Sequence, residues 1–389
     1  MKKIVLKKGK EKPILSYHHW IFSGAIKEKP TLELGEIVDV YSEGGVLLGK
    51  AYTNPKGSLF ARMLAFGNES IESALERAVI DAISLRKGLF DPTITNCYRL
   101  INGEGDRIPG LIVDRYDDHL CLQIGTMGIE KLKNLIVSLL LKHLEKINCI
   151  YEKSDLQTRH QEGLSSIETV LYGCLNSELK CLENGICFAI DMVHGQKTGF
   201  FLDQREMRQM VGLLSKGKTV LNCFSYSGGF SLYALKQGAM KVRSIDISKK
   251  AIELVEQNIE LNGLSLQKHQ GITQDVFEFL KSSLIQEDLV ILDPPAFAKK
   301  KEHVIQACKG YKEINRQTIS KMKKGGLLLT ASCSYHVDEN LFQQVIFQAA
   351  CEAKREIKIL SRHRLGMDHP INIFHPEGDY LKSLLLEVQ

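Results

Sequence analysis

The C-terminal half of the chain is predicted to adopt an α/β fold with a Rossmann-like doubly wound sheet. A small N-terminal β-barrel domain and a central α+β domain are predicted to precede it. The first observation behind this is regular strand–helix alternation from about Thr198 onward, the mark of a parallel sheet covered on both faces. The second is a run of short apolar or alternating segments in residues 1–68, separated by turn signals such as Glu43-Gly44-Gly45 and Asn54-Pro55-Lys56-Gly57. The third is length: 389 residues imply two or three domains at ~100–200 residues each.

The segments divide accordingly. Residues 1–68 carry short strands at Ile4–Leu6, Ile37–Val40, Val46–Ala51 and Leu59–Leu64. Residues 69–190 form the α+β region, of β-β-α-β-β type. Its first helix is Ile71–Lys87, where apolar residues recur near the 3.6 period. Strands follow at Tyr98–Asn102, Gly110–Tyr116 and His119–Ile124, then a helix at Ile129–Leu144 and strands at Cys149–Lys153 and Ile186–Ile190. Residues 191–389 carry strands at Thr219–Cys223, Lys241–Ile245, from Ile272, at Leu289–Leu292 and at Gly326–Ala331. Helices at Gly229–Gln237, Ser248–Asn262 and Tyr311–Met322 lie between them. Two final strands are expected at Ile357–Leu360 and Tyr380–Glu387.

Composition excludes several classes. With 44% apolar and 25% charged residues the chain reads as globular. No apolar run approaches the ~18–20 residues that span a bilayer, so no membrane partner is expected. Ten cysteines are scattered without CxxC spacing, so no metal site is expected. With no signal-peptide pattern, they read as reduced thiols of a cytoplasmic protein. The net charge of +5 is small, but lysines cluster at Lys2–Lys12 and at Lys299–Lys301. Such clusters attract polyanions, or serve as solvated surface.

In a doubly wound sheet, ligands bind beyond the carboxyl ends of the strands. The first strand here exits into Asn222-Cys223-Phe224-Ser225-Tyr226-Ser227-Gly228-Gly229. The glycines permit a tight turn. The spacing is not G-x-G-x-x-G, and Phe224 and Tyr226 crowd a loop that a pyrophosphate needs open. S-adenosyl-L-methionine has no phosphate and tolerates that crowding. Asp246 closes the second strand, roughly 20 residues after the glycine turn, where a carboxylate holds ribose hydroxyls. Asp275, after the third strand, is placed to accept from an adenine amino group. Asp203 and Arg205 interrupt the apolar stretch after Thr198-Gly199-Phe200-Phe201, and the cofactor's zwitterionic end would supply partners for them.

The fourth strand leads into Asp293-Pro294-Pro295-Ala296-Phe297. Its prolines lack N–H donors and leave carbonyls to accept from an exocyclic amine. Phe297 is expected to stack on a base, and Lys299 to meet the polyanion. The fifth strand ends at Ser332-Cys333-Ser334, in the same crevice as Asp293. A thiolate there can add to C6 of a pyrimidine and make C5 nucleophilic. The alternative for Cys333 is a small buried residue.

These residues resemble the bacterial family of large-subunit ribosomal RNA cytosine-5 methyltransferases, over nearly the whole chain. His19-Trp20-Ile21-Phe22-Ser23-Gly24-Ala25-Ile26 resembles the start of that family's PUA domain. Pro109–Tyr116 and Tyr151–Asp155 resemble its middle domain. Lys197–Arg205, Leu221–Gly229, Asp293–Phe297 and Ser332–Ser334 resemble its catalytic signatures, and Asp368-His369-Pro370 with Pro376-Glu377-Gly378 its C-terminal loop. The resemblance implies a class I methyltransferase domain at 191–389. It implies cofactor contacts from Thr198, Phe200, Asp203, Arg205, Asn222, Phe224, Ser225, Ser227, Gly228, Asp246, Asp275 and Asp293. It implies substrate contacts from Pro294, Pro295, Phe297 and Lys299, Cys333 as nucleophile, and 23S rRNA as substrate. It is compatible with a homodimer. Other RNA cytosine-5 enzymes carry a second cysteine where this chain has Pro295, so the group that assists release is open. Two alternatives stand. One is methylation of a guanine nitrogen, N2 or N7, which does not need Cys333. The other is an RNA-binding assembly factor without activity.

Overall fold

The computed structural model describes residues 2–176, 178–298 and 300–389. The chain divides into two compact units. The first is Met1–Asn184 with Ile190–Asp203 and Met367–Gly378; the second is Gly185–Ala189, Gln204–Gly366 and Asp379–Gln389.

In the first unit, β1 (Lys2–Val5), β2 (Trp20–Phe22), β3 (Ile37–Tyr41), β4 (Leu47–Thr53) and β5 (Leu59–Phe66) form one sheet in the order β1-β3-β4-β5-β2. Its core is Ile4, Leu6, Val38, Val40, Phe60 and Met63. A one-turn helix α1 (Lys12–Leu15) crosses between β1 and β2. The second sheet joins β6 (Cys97–Asn102), β7 (Leu111–Tyr116), β8 (His119–Ile124), β9 (Cys149–Ser154) and β10 (Ile167–Gly173) in the order β10-β9-β8-β7-β6. Helices α2 (Ile71–Leu89) and α3 (Met127–His143) pack on it, and α4 (Gln157–Gln161) follows β9. Ser70 caps α2 by accepting from the Ser73 N–H. The apolar stripe Ile71, Ala74, Leu75, Ala78, Val79, Ala82 is buried against Leu111, Val113 and Leu122 of the sheet. The order of elements is therefore α-β-β-β-α-β-α-β, with three strands before α3 and an unanticipated last strand, β10. Its residues are mostly exposed, so no apolar alternation announces it. Strand β11 (Lys180–Glu183) completes the unit, and β12 (Ile186–Ala189) opens the second.

The second unit is a seven-stranded sheet of β13 (Thr219–Cys223), β14 (Lys241–Asp246), β15 (His269–Thr273), β16 (Leu289–Leu292), β17 (Gly326–Ser332), β18 (Ile357–His363) and β19 (Lys382–Val388). Its order is β15-β14-β13-β16-β17-β19-β18. The first five strands are parallel; β19 runs antiparallel to both neighbours. Strand β13 is followed by β14 on one side and flanked by β16 on the other, so the order reverses there. That is the switch point at which such sheets bind ligands. The helices are α5 (Arg205–Leu214), α6 (Gly229–Lys236), α7 (Lys249–Leu261), α8 (Val276–Ser282), α9 (Val304–Lys321) and α10 (Glu339–Ala353).

Three sequence expectations need correction here. The third strand starts at His269 rather than Ile272; it is an edge strand with only one large apolar residue. Helix α9 begins at Val304, not Tyr311, because it runs through Gly310, which reads as a breaker. A side chain at 310 would stand 3.2 Å from the Phe297 ring, so the glycine makes room for that ring. Helices α8 and α10 were not anticipated. No helix among the described residues is long and apolar enough to cross a membrane.

Candidate active site

Because β13 to β17 are parallel, their carboxyl ends share one edge of the sheet. That edge collects Asn222–Gly228 at the end of β13 and in the loop after it, Asp246 at the end of β14, Asp293 after β16 and Cys333 after β17.

The loop after β13 is held in an unusual backbone. Phe224, Tyr226 and Gly228 all have positive φ, of 59°, 44° and 80°. For the two aromatic residues this is a sparsely populated conformation, kept only where the surroundings enforce it. The enforcement is visible. Ser225 N–H donates to the Ile245 carbonyl at 3.0 Å, and Gly228 N–H to the Ser225 carbonyl at 2.8 Å. Tyr226 N–H donates to Asp246 Oδ2 at 2.9 Å, and Ser248 N–H to Asp246 Oδ1 at 2.9 Å. Buried Asn258 on α7 donates to the Ser227 carbonyl at 3.0 Å. Beneath the loop, Asn222 Nδ2 donates to Ser231 Oγ, which bonds Ser244 Oγ, which in turn meets His269 Nε2. Burial lowers the His269 pKa to about 4, so this chain of polar groups stays neutral.

Two buried acceptors of the loop region have no hydrogen-bond partner among the described residues: Asn222 Oδ1 and Ser225 Oγ. A buried polar atom left without a partner is costly, so each is an acceptor that a bound donor would satisfy. These atoms fit the hydroxyl and amino donors of an adenosyl group.

The structure places the other expected residues less uniformly. Thr198, Phe200 and Asp203 belong to the first unit, where Thr198 Oγ1 donates to Asp114 Oδ2 at 2.6 Å and meets the Tyr116 hydroxyl at 2.8 Å. Phe200 is buried. Arg205 begins α5 in the second unit and is buried. Asp275 is exposed, and its carboxylate caps α8 by accepting from the Glu278 N–H at 3.1 Å. Phe297 packs its ring against Tyr311, centroid to centroid 4.7 Å, and Phe277, 5.9 Å, so contacts within the protein already account for its partial burial. Pro294 is buried and Pro295 exposed. Lys299 lies outside the described residues. Lys300 forms an exposed pair with Glu302.

Asp293 is oriented by Gln204, whose amide donates to Oδ1 at 2.9 Å. Cys333 is partly buried, its Sγ 3.9 Å from the Pro294 carbonyl. Ser334 binds the two loops together: its Oγ accepts from Ala298 N–H at 3.1 Å and meets the Tyr311 hydroxyl at 2.9 Å. Strands β16 and β17 are paired, so the Asp293 and Cys333 loops leave adjacent strands. Gln204, Asn258, Tyr311 and Ser334 were not singled out from sequence. Their sequence neighbours are mostly polar as well, so no local signal marks them.

In the first unit, His18, His375 and Glu377 bring ligand-type atoms within 4.8 Å of one another. Trp20 N–H donates to His18 Nδ1, so the His18 proton sits on Nε2, which faces Glu377 at 3.5 Å. His375 lies between Glu377 and Glu104. Against the effect of burial, Glu104 and Glu377 together raise the His375 pKa above its ordinary value.

A parallel sheet that reverses at β13, with a strained loop there and acidic residues at successive strand ends, defines a nucleoside-binding methyltransferase fold. Comparison with known proteins agrees. Residues 151–356 match the family model described as S-adenosylmethionine-dependent methyltransferase, and residues 4–66 match a PUA-like domain. The chain is 40% identical over 391 residues to "Ribosomal RNA large subunit methyltransferase I" of Alteromonas mediterranea, covering 99% of this chain and 98% of that one. It is 40% identical over 393 residues to the protein of the same name from Vibrio vulnificus, covering 99% of each. Among solved structures, a SAM-dependent methyltransferase-type protein of Streptococcus mutans is 26% identical with a TM-score of 0.84 over 100% of both chains. Another, crystallised with S-adenosylhomocysteine, is 27% identical with a TM-score of 0.86 over 100% of both chains. The chain belongs to the S-adenosylmethionine-dependent methyltransferase family, with a PUA-like N-terminal domain and S-adenosylmethionine as its cofactor.

Proposed function

We propose that the protein methylates C5 of a cytosine in large-subunit ribosomal RNA, with Cys333 as the nucleophile. The observation that carries this reading is the position of Cys333 at the end of β17, with its sulfur 3.9 Å from the Pro294 carbonyl of the Asp-Pro-Pro loop. The names of the relatives and the PUA-like domain support the RNA substrate.

S-adenosylmethionine supplies an electrophilic methyl on a sulfonium. Asn222, Ser225 and Asp246 offer acceptors for its hydroxyl and amino donors, and Gln204 holds the Asp293 carboxylate in a fixed orientation. The Pro294 and Pro295 segment contributes carbonyls toward the amino group of the base. The Cys333 thiolate adds to C6, and the electron pair reaches C5, which takes the methyl group. Loss of the C5 proton returns the pair to the ring and expels the thiolate. Asp293 is the acceptor nearest in sequence to the substrate loop.

The decisive experiment is Cys333→Ala with unmodified rRNA. Methyl transfer should be lost while S-adenosylmethionine binding, by isothermal titration, is retained. Nucleoside mass spectrometry of the wild-type product should show 5-methylcytosine. A methylguanosine product, or full activity in the alanine variant, refutes the reading.

A further inference from the structure

We propose that Lys382 is a positioning residue for Cys333: its ammonium holds the 332–334 turn and stabilises the thiolate. This rests on Cys333 as the nucleophile, but its physical core does not need RNA.

Lys382 opens β19 directly opposite Ser332 in the antiparallel pairing with β17. It is only 7% exposed. Its Nζ donates to the Ser334 carbonyl at 2.7 Å and to the Tyr380 carbonyl at 2.8 Å. Cys333 is thus flanked by a residue in register with Lys382 and a residue whose carbonyl Lys382 holds. An ammonium has three donors, and these two bonds leave one.

A buried cation ordinarily has a carboxylate partner. Among the described residues, no carboxylate lies within ion-pair distance of Lys382. The charges that face it are Cys333 and Asp338, which favour the ammonium, and Arg364, which opposes it. Burial is the largest influence and lowers the Lys382 pKa to about 8, so near neutral pH the group remains mostly protonated. The Tyr311 hydroxyl meets Ser334 and also feels Cys333. Cys333 is the partly exposed group of this set that can become an anion on demand. Its S–H bond breaks, the proton goes to solvent, and the resulting thiolate is compensated by the Lys382 ammonium, with no net change elsewhere. When the thiolate adds to the base, the same cation favours its later departure as an anion.

The test is the pH dependence of Cys333 alkylation by iodoacetamide, resolved by peptide mass spectrometry from the other nine cysteines. In the wild-type protein the midpoint should fall below the ordinary thiol value of about 8.5. Lys382→Met should raise it by about one unit, leaving about tenfold less thiolate at pH 7, and Lys382→Arg should keep it near wild type. Methyl transfer by Lys382→Met should recover as pH is raised; a purely structural role predicts no such rescue. A wild-type midpoint at or above about 8.5, or equal midpoints in wild type and Lys382→Met, overturns the proposal. The wild-type measurement stands even where the methionine variant folds poorly. If the midpoints shift as expected but Cys333→Ala still methylates, the nucleophile reading fails and the Lys382–Cys333 coupling survives.

Discussion

Gly228→Ala isolates the strain that shapes the loop after β13, the proposed cofactor loop. Gly228 has φ of 80°, and a Cβ there would lie 2.7 Å from Val255 Cγ1 and 3.0 Å from Cγ2 on the buried face of α7. The left-handed backbone costs an alanine about 1–2 kcal/mol. Forcing a methyl into a packed contact costs about 1–3 kcal/mol more. If the loop keeps its conformation, the whole penalty of about 2–5 kcal/mol appears as lost stability. If the loop relaxes, Ser225 and Asn222 leave their places and the penalty appears as weaker cofactor binding, about tenfold for each 1.4 kcal/mol. Urea unfolding and calorimetric titration with S-adenosylmethionine together capture both outcomes. Val255→Ala in the same background separates the two causes: a double-mutant cycle reports the steric part as coupling and leaves the φ part behind. A Gly228→Ala protein with wild-type unfolding midpoint and wild-type affinity would refute the argument that this position needs glycine.

Three further outcomes follow from the same coordinates. Arg86 is fully buried and donates to both Asp106 carboxylate oxygens, at 2.6 and 2.8 Å, and to the Asp368 carbonyl at 2.7 Å. Arg86→Met should destabilise the first unit by about 3–5 kcal/mol in urea titration, because it leaves Asp106 as a buried uncompensated charge; a loss under about 1 kcal/mol would contradict this. For His375, burial alone would lower the pKa, but Glu104 and Glu377 outweigh it and the pKa is raised above 6.5. Its stabilising effect is therefore complete below pH 6.5 and fades as pH rises through the folded-state value. Glu104 and Glu377 are depressed, Glu104 to about 2, so their share is present above pH 4.5 and fades as pH falls toward that value. The stability difference between wild type and His375→Phe should shrink from pH 6 to pH 9; parallel pH profiles would rule the ion pairs out as its origin. Asp246→Asn keeps one carbonyl acceptor where the loop uses two oxygens, so Tyr226 or Ser248 loses its partner. Cofactor affinity should fall by about tenfold or more, measured by titration, and an unchanged affinity would remove Asp246 from the site.

The central strands of the second unit were readable because they are buried on both faces. Leu289–Leu292 is expected where it occurs, as an uninterrupted apolar run, and Thr219–Cys223 likewise where it occurs, although Asn222 interrupts it. Strand β15 was cut short because His269 and Gln270 look like loop residues, although the edge of a sheet accepts them. Helix α8 has seven residues, too few to show a period. Helix α10 was legible in principle: Asp338 caps it and buried residues recur at Phe342, Val345, Ile346 and Ala349. What no local pattern reveals is the return of Met367–Gly378 to the first unit. That return depends on Arg86 and Arg99 binding Asp368 across more than half the chain.

The positions of the candidate residues were legible where a strand end dictates them; their side-chain partners were not. Asn222–Gly228, Asp246, Asp293 and Cys333 follow directly from strand ends, and the parallel sheet brings them to one edge. Phe297 is expected to meet the substrate from its place in the loop, and the sequence does not show that its ring also packs on Tyr311 in the space that Gly310 leaves open. Lys382 is the converse case. On β19 it shares a face with Leu384, Leu386 and Val388, all buried in the core, and Ser383 and Leu385 on the other face are buried too, so the lysine stands in a strand buried on both faces. A charge in that place requires a reason. The reason cannot be read locally, because it is the register between β19 and a strand some 50 residues earlier that sets Lys382 opposite Ser332 and beside the cysteine. A shift of that register by one residue would turn the ammonium to the other face and leave the 332–334 turn without its anchor.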